Sequence, residues 1–137
     1  MTHTTVAIFG VFDGIHEGHR EFIRQAKSHG QELVAIVARD SIVEKLKNKM
    51  PINREANRIE SLLEVPEIDR VYLGDAEEGT YKILKEINPD CVYLGYDQEA
   101  LSASIKKAIK VGHLSKMDII LGQPYKPEIF KSSILNK

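Results

Sequence analysis

The sequence predicts an α/β domain: a five-stranded parallel sheet in the order 3-2-1-4-5 with helices on both faces. Three observations predict it. Five short, β-branched apolar runs recur along the chain, as expected of strands buried on both faces. Between them lie segments with helical apolar spacing, so strand and helix alternate and a parallel sheet with right-handed crossovers follows. The first run is followed at once by a glycine- and histidine-rich turn, GVFDGIHEGH, at residues 10–19.

The strands are expected at residues 6–9, 33–38, 71–73, 92–94 and 119–121. The first helix is expected over 21–28, where Phe22, Ile23 and Ala26 share a face. Ile42, Val43 and Leu46 suggest a second helix that ends before Pro51. A third spans 54–63, with Ile59, Leu62 and Leu63 as its apolar side. Tyr81, Leu84 and Lys85 mark a fourth, stopped by Asn88-Pro89. The fifth covers 102–111, with Gly112 as its stop. The order 3-2-1-4-5 has a topological switch between strands 1 and 4, and ligands bind outside the carboxyl ends of the strands at such a point.

The chain of 137 residues suits one domain, residues 1–137, and its net charge is −1. There is no basic tail and no arginine-rich stripe with aromatics, which argues against a nucleic-acid surface. No apolar run approaches a membrane span, and Met1-Thr2-His3 does not open a signal peptide, so a cytoplasmic location is expected. The single cysteine, Cys91, excludes an internal disulfide and reads as core.

The turn at 10–19 carries the chemistry. Gly10 is expected to let the backbone bend after the strand, and Gly14 and Gly18 to clear side chains away from a ligand. His16 and His19 are three apart, so they share one face of a first helical turn. The helix start adds free N–H groups and the positive end of the macrodipole. The sum suits phosphate oxygens. A zinc site needs further ligands, and His3, His29 and His113 show no ligand spacing; no metal ligand set is legible.

Two later places repeat a strand-loop-helix pattern. Gly95 closes the fourth strand, followed by Asp97 and Gln98, either of which could accept from a base or a ribose; Asp97 also reads as a helix cap. Beyond the fifth strand, Pro124 and Pro127 keep the chain extended, and Ser132-Ser133 reads as the start of a further helix.

GVFDGIHEGH resembles the first signature of the cytidylyltransferase-like nucleotidyltransferases, a His-x-Gly-His after the first strand of a Rossmann-like sheet. The resemblance spans nearly the whole chain. It implies that His16 and His19 stabilise charge developing around an α-phosphate, with Gly10, Val11, Phe12 and Gly18 lining the nucleotide. It implies that a lysine after the second strand meets the β- and γ-phosphates. Lys47 is the best match, with Lys45 and Lys49 as rivals. Arg58 resembles the helix arginine that follows this lysine, suited to a pocket wall; otherwise it reads as an exposed helix arginine. Ser132 and Ser133 resemble the second signature, which grips the phosphates across from the histidines, and Gly95, Asp97 and Gln98 are expected on the nucleoside side.

The implied reaction moves a nucleoside monophosphate from a triphosphate, carried with Mg²⁺, to a phosphorylated acceptor, and releases pyrophosphate. A homodimer is expected from relatives. The stretch from Lys126 to Ser133 lacks the arginine and glycine of the cytidylyl enzymes. Val37–Asp40, the lysine segment and Gly95–Gln98 look more like the archaeal-type FAD synthetase branch, which moves AMP from ATP to FMN. The alternatives are a CTP:glycerol-3-phosphate cytidylyltransferase and, in another class, a nucleotide-binding sensor without turnover.

Overall fold

A computed structural model gives the architecture and describes residues 3–77 and 79–122. The elements run β1 (His3–Gly10), α1 (Glu17–Lys27), β2 (Gly30–Val37), α2 (Asp40–Lys47), α3 (Glu55–Leu63), β3 (Arg70–Leu73), α4 (Lys82–Ile87), β4 (Cys91–Leu94), α5 (Glu99–Lys110) and β5 (Asp118–Leu121). The five strands form one sheet in the order β3-β2-β1-β4-β5, and every pair is parallel. The sheet expected from the sequence is the sheet observed.

Alternation along each strand sends side chains to two faces. Val6 and Ile8 of β1, Leu33, Ala35 and Val37 of β2, and Cys91 and Tyr93 of β4 pack with Ile23 and Ala26 of α1 and Leu62 of α3. Ala7, Ile36, Val92 and Leu94 face the other way and pack with Leu84 of α4 and Ile105 and Ala108 of α5. Helices therefore cover both faces. The central strands have no wet side, which is why their sequences are continuously apolar.

The carboxyl ends of the strands are in register. Gly10 pairs with Val37, Val37 with Leu73, and Leu94 with Leu121. One further hydrogen bond extends three of these ladders: Ala38 N–H to Gly10 O, Gly74 N–H to Val37 O and Gly122 N–H to Leu94 O. The β1–β4 ladder is short, with pairs at Val6–Cys91 and Ala7–Val92. The Phe9 carbonyl instead accepts from Gln98 Nε2 at 3.2 Å. A side-chain amide thus stands in for backbone at the topological switch.

Helix starts differ from the sequence reading. Helix α1 begins at Glu17 and α5 at Glu99, each a turn earlier than apolar spacing indicates. Spacing reports the buried side of a helix and is blind to an exposed first turn. No helix among the described residues is long and apolar enough to cross a membrane. The expected helix at Ser132-Ser133 lies outside the described residues.

Candidate active site

The loop after β1 turns through two left-handed residues, Phe12 at φ 54° and Gly14 at φ 89°. Gly10 itself does not supply the bend. Its missing Cβ makes room for the Phe12 ring, which would lie 2.7 Å from such an atom. Phe12 is buried, and its ring meets His19 edge-on with centroids 5.9 Å apart. A non-glycine residue held at positive φ costs about 1–3 kcal/mol and persists only where its surroundings fix it. Burial of the Phe12 ring under β1 does the fixing.

His16 is the N-cap of α1. Its Nδ1 accepts the backbone N–H groups of Gly18 at 3.0 Å and His19 at 3.4 Å. In return His19 Nδ1 accepts the N–H of His16 at 3.3 Å. This is a capping box, with imidazoles in the places of Ser or Thr and Glu. The two rings stack with centroids 3.8 Å apart and planes 25° from parallel. A ring nitrogen that accepts a hydrogen bond carries no proton, so the proton of each neutral imidazole sits on Nε2. The pair therefore carries an Nε2–H on each ring at a helix start, on the carboxyl side of the central strand, that of His19 near the Gly14 carbonyl. Burial, and then the neighbouring His16, push the His19 pKa down to about 4, against the Gly14 carbonyl, which acts the other way.

Gly18 has a different duty from the one its sequence suggests. A Cβ there would lie 2.9 Å from Cε1 of His16, so the space is taken by the capping ring and not by a ligand. Gly95 repeats the arrangement, with Asp97 Oδ1 2.9 Å from where its Cβ would be. Gln98 fastens the same corner: its Oε1 accepts from Gly95 N–H at 2.8 Å while its amide donates to Phe9. Asp97 is exposed and does not cap α5; the N-cap is Gln98, without a side-chain cap bond. Gly95, Asp97 and Gln98 thus sit beside the end of β1, at the switch point where the histidine turn also emerges.

Arg58 departs from the reading as an exposed helix arginine. It is not exposed, at 1% accessibility. Its Nε donates to Asn53 O at 3.0 Å, Nη1 to Val11 O at 2.8 Å and Nη2 to Asp40 Oδ1 at 2.8 Å. Three of its five donors are engaged internally, and the planar fork is what lets one side chain reach three acceptors. Asp40 also accepts from Arg54 Nε and Glu55 N–H, while its own N–H goes to Glu55 Oε1. Burial pushes the Asp40 carboxyl up, but Arg58, Glu55 N–H and Arg54 reverse this and hold it below the ordinary value.

Asp13 is the residue whose duty the sequence left least legible. Its carboxylate accepts from Ile52 N–H at 2.7 Å, Asn53 N–H at 2.8 Å and Asn53 Nδ2 at 2.9 Å. Burial raises its pKa, and these donors with Arg58 outweigh that, so it is lowered overall. The signal available was an acidic residue in the turn, with no hint of its partners some forty positions on. Lys47 closes α2, and both it and Lys49 are exposed, as is Lys45. Ser132 and Ser133 lie outside the described residues.

The profile of a family described as Cytidylyltransferase-like matches residues 7–134. FAD synthase of Thermococcus sibiricus is 38% identical over 124 residues, covering 90% of this chain and 84% of that protein. FAD synthase of Aciduliprofundum boonei is 44% identical over 109 residues, 74% of this chain and 70% of that protein. Among solved structures, a lipopolysaccharide core biosynthesis protein from Thermoplasma volcanium superposes with a TM-score of 0.81 at 33% identity, over 90% of this chain and 99% of that one. Pantoate-beta-alanine ligase from Francisella tularensis, at 13% identity and a TM-score of 0.59 over 90% of this chain and 61% of that one, shares the fold. By its matched length, its sheet order and its histidine turn, the chain belongs to the cytidylyltransferase-like family of nucleotidyltransferases.

Proposed function

We propose that this protein transfers AMP from ATP to FMN, forming FAD and releasing pyrophosphate. One observation carries the chemistry: the His16–His19 stack, whose Nδ1 atoms are held by backbone N–H groups, so that the Nε2–H of His16, and that of His19 in exchange for its Gly14 carbonyl contact, can turn to phosphate oxygens. The FAD synthases among its relatives direct the choice of donor and acceptor.

In this reading an oxygen of the FMN phosphate attacks the α-phosphorus of ATP in line. The new P–O bond forms as the bond to the β-phosphate oxygen breaks. Little covalent work falls to the protein, so positioning and charge stabilisation supply the rate. The two Nε2–H donors meet the non-bridging oxygens of the α-phosphate, where negative charge grows. They need not be cationic, because a donor fixed by its own helix acts without reorganising. Lys47, or its neighbours Lys45 and Lys49, neutralises the departing polyphosphate. The backbone of Gly10–Phe12 and Gly18 flanks the phosphates, Gly95, Asp97 and Gln98 flank the adenosine, and Ser132 and Ser133 add donors.

Mg²⁺ is expected on the triphosphate. Triphosphate and water oxygens supply most of such an ion's ligands. A single-domain cytoplasmic homodimer is the expected form. The test is pyrophosphate release with Mg²⁺ in two mixtures, ATP with FMN and CTP with glycerol-3-phosphate, with His16→Ala as control. FAD formation from the first mixture supports the reading. Release with CTP alone makes the protein a cytidylyltransferase, and nucleotide binding without release in either mixture makes it a sensor.

A further inference from the structure

The segment from Asp40 to Asn53 carries the three candidate phosphate lysines, and it is tied down at both ends by one pair of buried or half-buried groups. Arg58 holds its beginning through Asp40 and its end through the Asn53 carbonyl. The same guanidinium donates to Val11 O, in the turn that carries the histidines. Asp13, also in that turn, takes the N–H groups of Ile52 and Asn53 and the Asn53 amide. The end of the segment is thus gripped from two sides, each grip reaching the histidine turn.

From this we infer that Asp13 and Arg58 are positioning residues, which set the lysine segment at a fixed distance from the His16–His19 pair and act on the nucleotide through those lysines. The inference rests on the nucleotidyl-transfer reading above and adds to it the parts that hold donor and cation in one frame. The arrangement is suited to the task. Lys47 and Lys49 are exposed, and a lysine is a flexible point charge, so the backbone must supply the precision that the side chain lacks. Asp13 meets the segment through two successive backbone N–H groups, which fixes orientation as well as distance. Arg58 reaches Asp40 and Asn53 with one rigid plane, so the two ends of the segment cannot move apart without breaking a buried hydrogen bond.

The test uses Asp13→Asn, which keeps size and removes charge. Its amide NH₂ meets a backbone N–H, donor against donor. ATP binding alone is measured by titration calorimetry, and KM for ATP and for FMN by FAD formation. The expected result is ATP affinity weaker by about tenfold, the size of one charge-assisted hydrogen bond, with KM for FMN within about twofold of the parent. In a background carrying Lys45→Ala, Lys47→Ala and Lys49→Ala, Asp13→Asn has no further effect on ATP. Asn53→Ala, which removes one of the three donors to Asp13, gives a smaller shift in the same direction. A purely structural role lowers the active fraction and hence kcat, and leaves ATP affinity per active molecule unchanged; that result overturns the inference. So does a further tenfold loss in the lysine-free background. Because ATP binding is read without an acceptor, a wild-type protein that binds ATP and makes no FAD overturns the function reading while still testing the clamp.

Discussion

His16 and His19 cap each other: each ring accepts the other residue's backbone N–H, and the two imidazoles stack at 3.8 Å. A proton added to His19 Nδ1 would replace an acceptor with a donor facing the His16 N–H, at the positive end of a helix. His19 should therefore resist protonation when folded. The unfolded chain takes up this proton near pH 6.5 and the folded one near 4, so the unfolded state binds more protons between these values. Stability from this residue is complete above about pH 6.5 and falls as pH drops toward about 4. Denaturant midpoints measured across this window should decline for the wild type. They should decline less for His19→Asn, which retains an acceptor and has nothing to titrate. The same variant should lose about 10²–10³ in kcat, the scale seen when one transition-state donor is removed.

Gly18→Ala separates stability from activity. Alanine in a helix gains up to about 1 kcal/mol over glycine. The new Cβ, 2.9 Å from His16 Cε1, unseats the capping ring, and a lost N-cap costs about 0.5–2 kcal/mol. The two nearly offset, so the melting temperature should stay within a few degrees of the parent. Activity should fall by about tenfold or more, because the donor geometry depends on the seated ring. A stable Gly18→Ala protein with full activity would show that His16 does not act from its capping position.

Arg58→Leu should be among the most destabilising single changes. It leaves Asp40 without its buried partner and the carbonyls of Val11 and Asn53 without a donor. Breaking a buried pair from one side costs about 3–5 kcal/mol, and urea denaturation measures it directly. The remaining Arg54 contact to Asp40 places the loss toward the lower figure. A loss under 1 kcal/mol would mean the guanidinium is not the hub of this corner.

Lys47→Ala and Lys49→Ala should behave oppositely. Both side chains are exposed, so stability should change by less than about 0.5 kcal/mol. KM for ATP should rise for whichever lysine meets the phosphates, with that rise reduced at high salt. Steady-state kinetics at two ionic strengths distinguishes the lysines from each other.

The parts of this protein legible in the sequence are those set by local pattern. Continuous apolar runs such as Val6–Ile8 announce strands buried on both faces, and strand-helix alternation announces the parallel sheet. The histidine turn was legible because its residues are contiguous. What was not legible is set by partners distant in sequence. Arg58 looks like any helix arginine until Val11, Asn53 and Asp40 are brought around it. Asp13 looks like a turn residue until the segment at 52–53 arrives. Gly10, Gly18 and Gly95 advertise open space, but which group fills it, the Phe12 ring, the His16 ring or the Asp97 carboxylate, depends on rotamers that no spacing rule gives. The early start of α1 did have a sequence mark: the His-x-x-His spacing is that of a capping box, in residues seldom used for one.

The reciprocal cap makes the first turn of α1 and the phosphate donors one mechanical unit. Any fluctuation that frays the helix start swings both imidazoles away from the reacting phosphate, and any bound phosphate that holds the Nε2–H groups also holds the helix closed. The amide hydrogens of Gly18 and His19, bonded to the His16 ring, therefore serve as a built-in gauge of site occupancy. Their exchange with deuterated water should slow when nucleotide binds, reporting in one signal how often the catalytic pair is assembled.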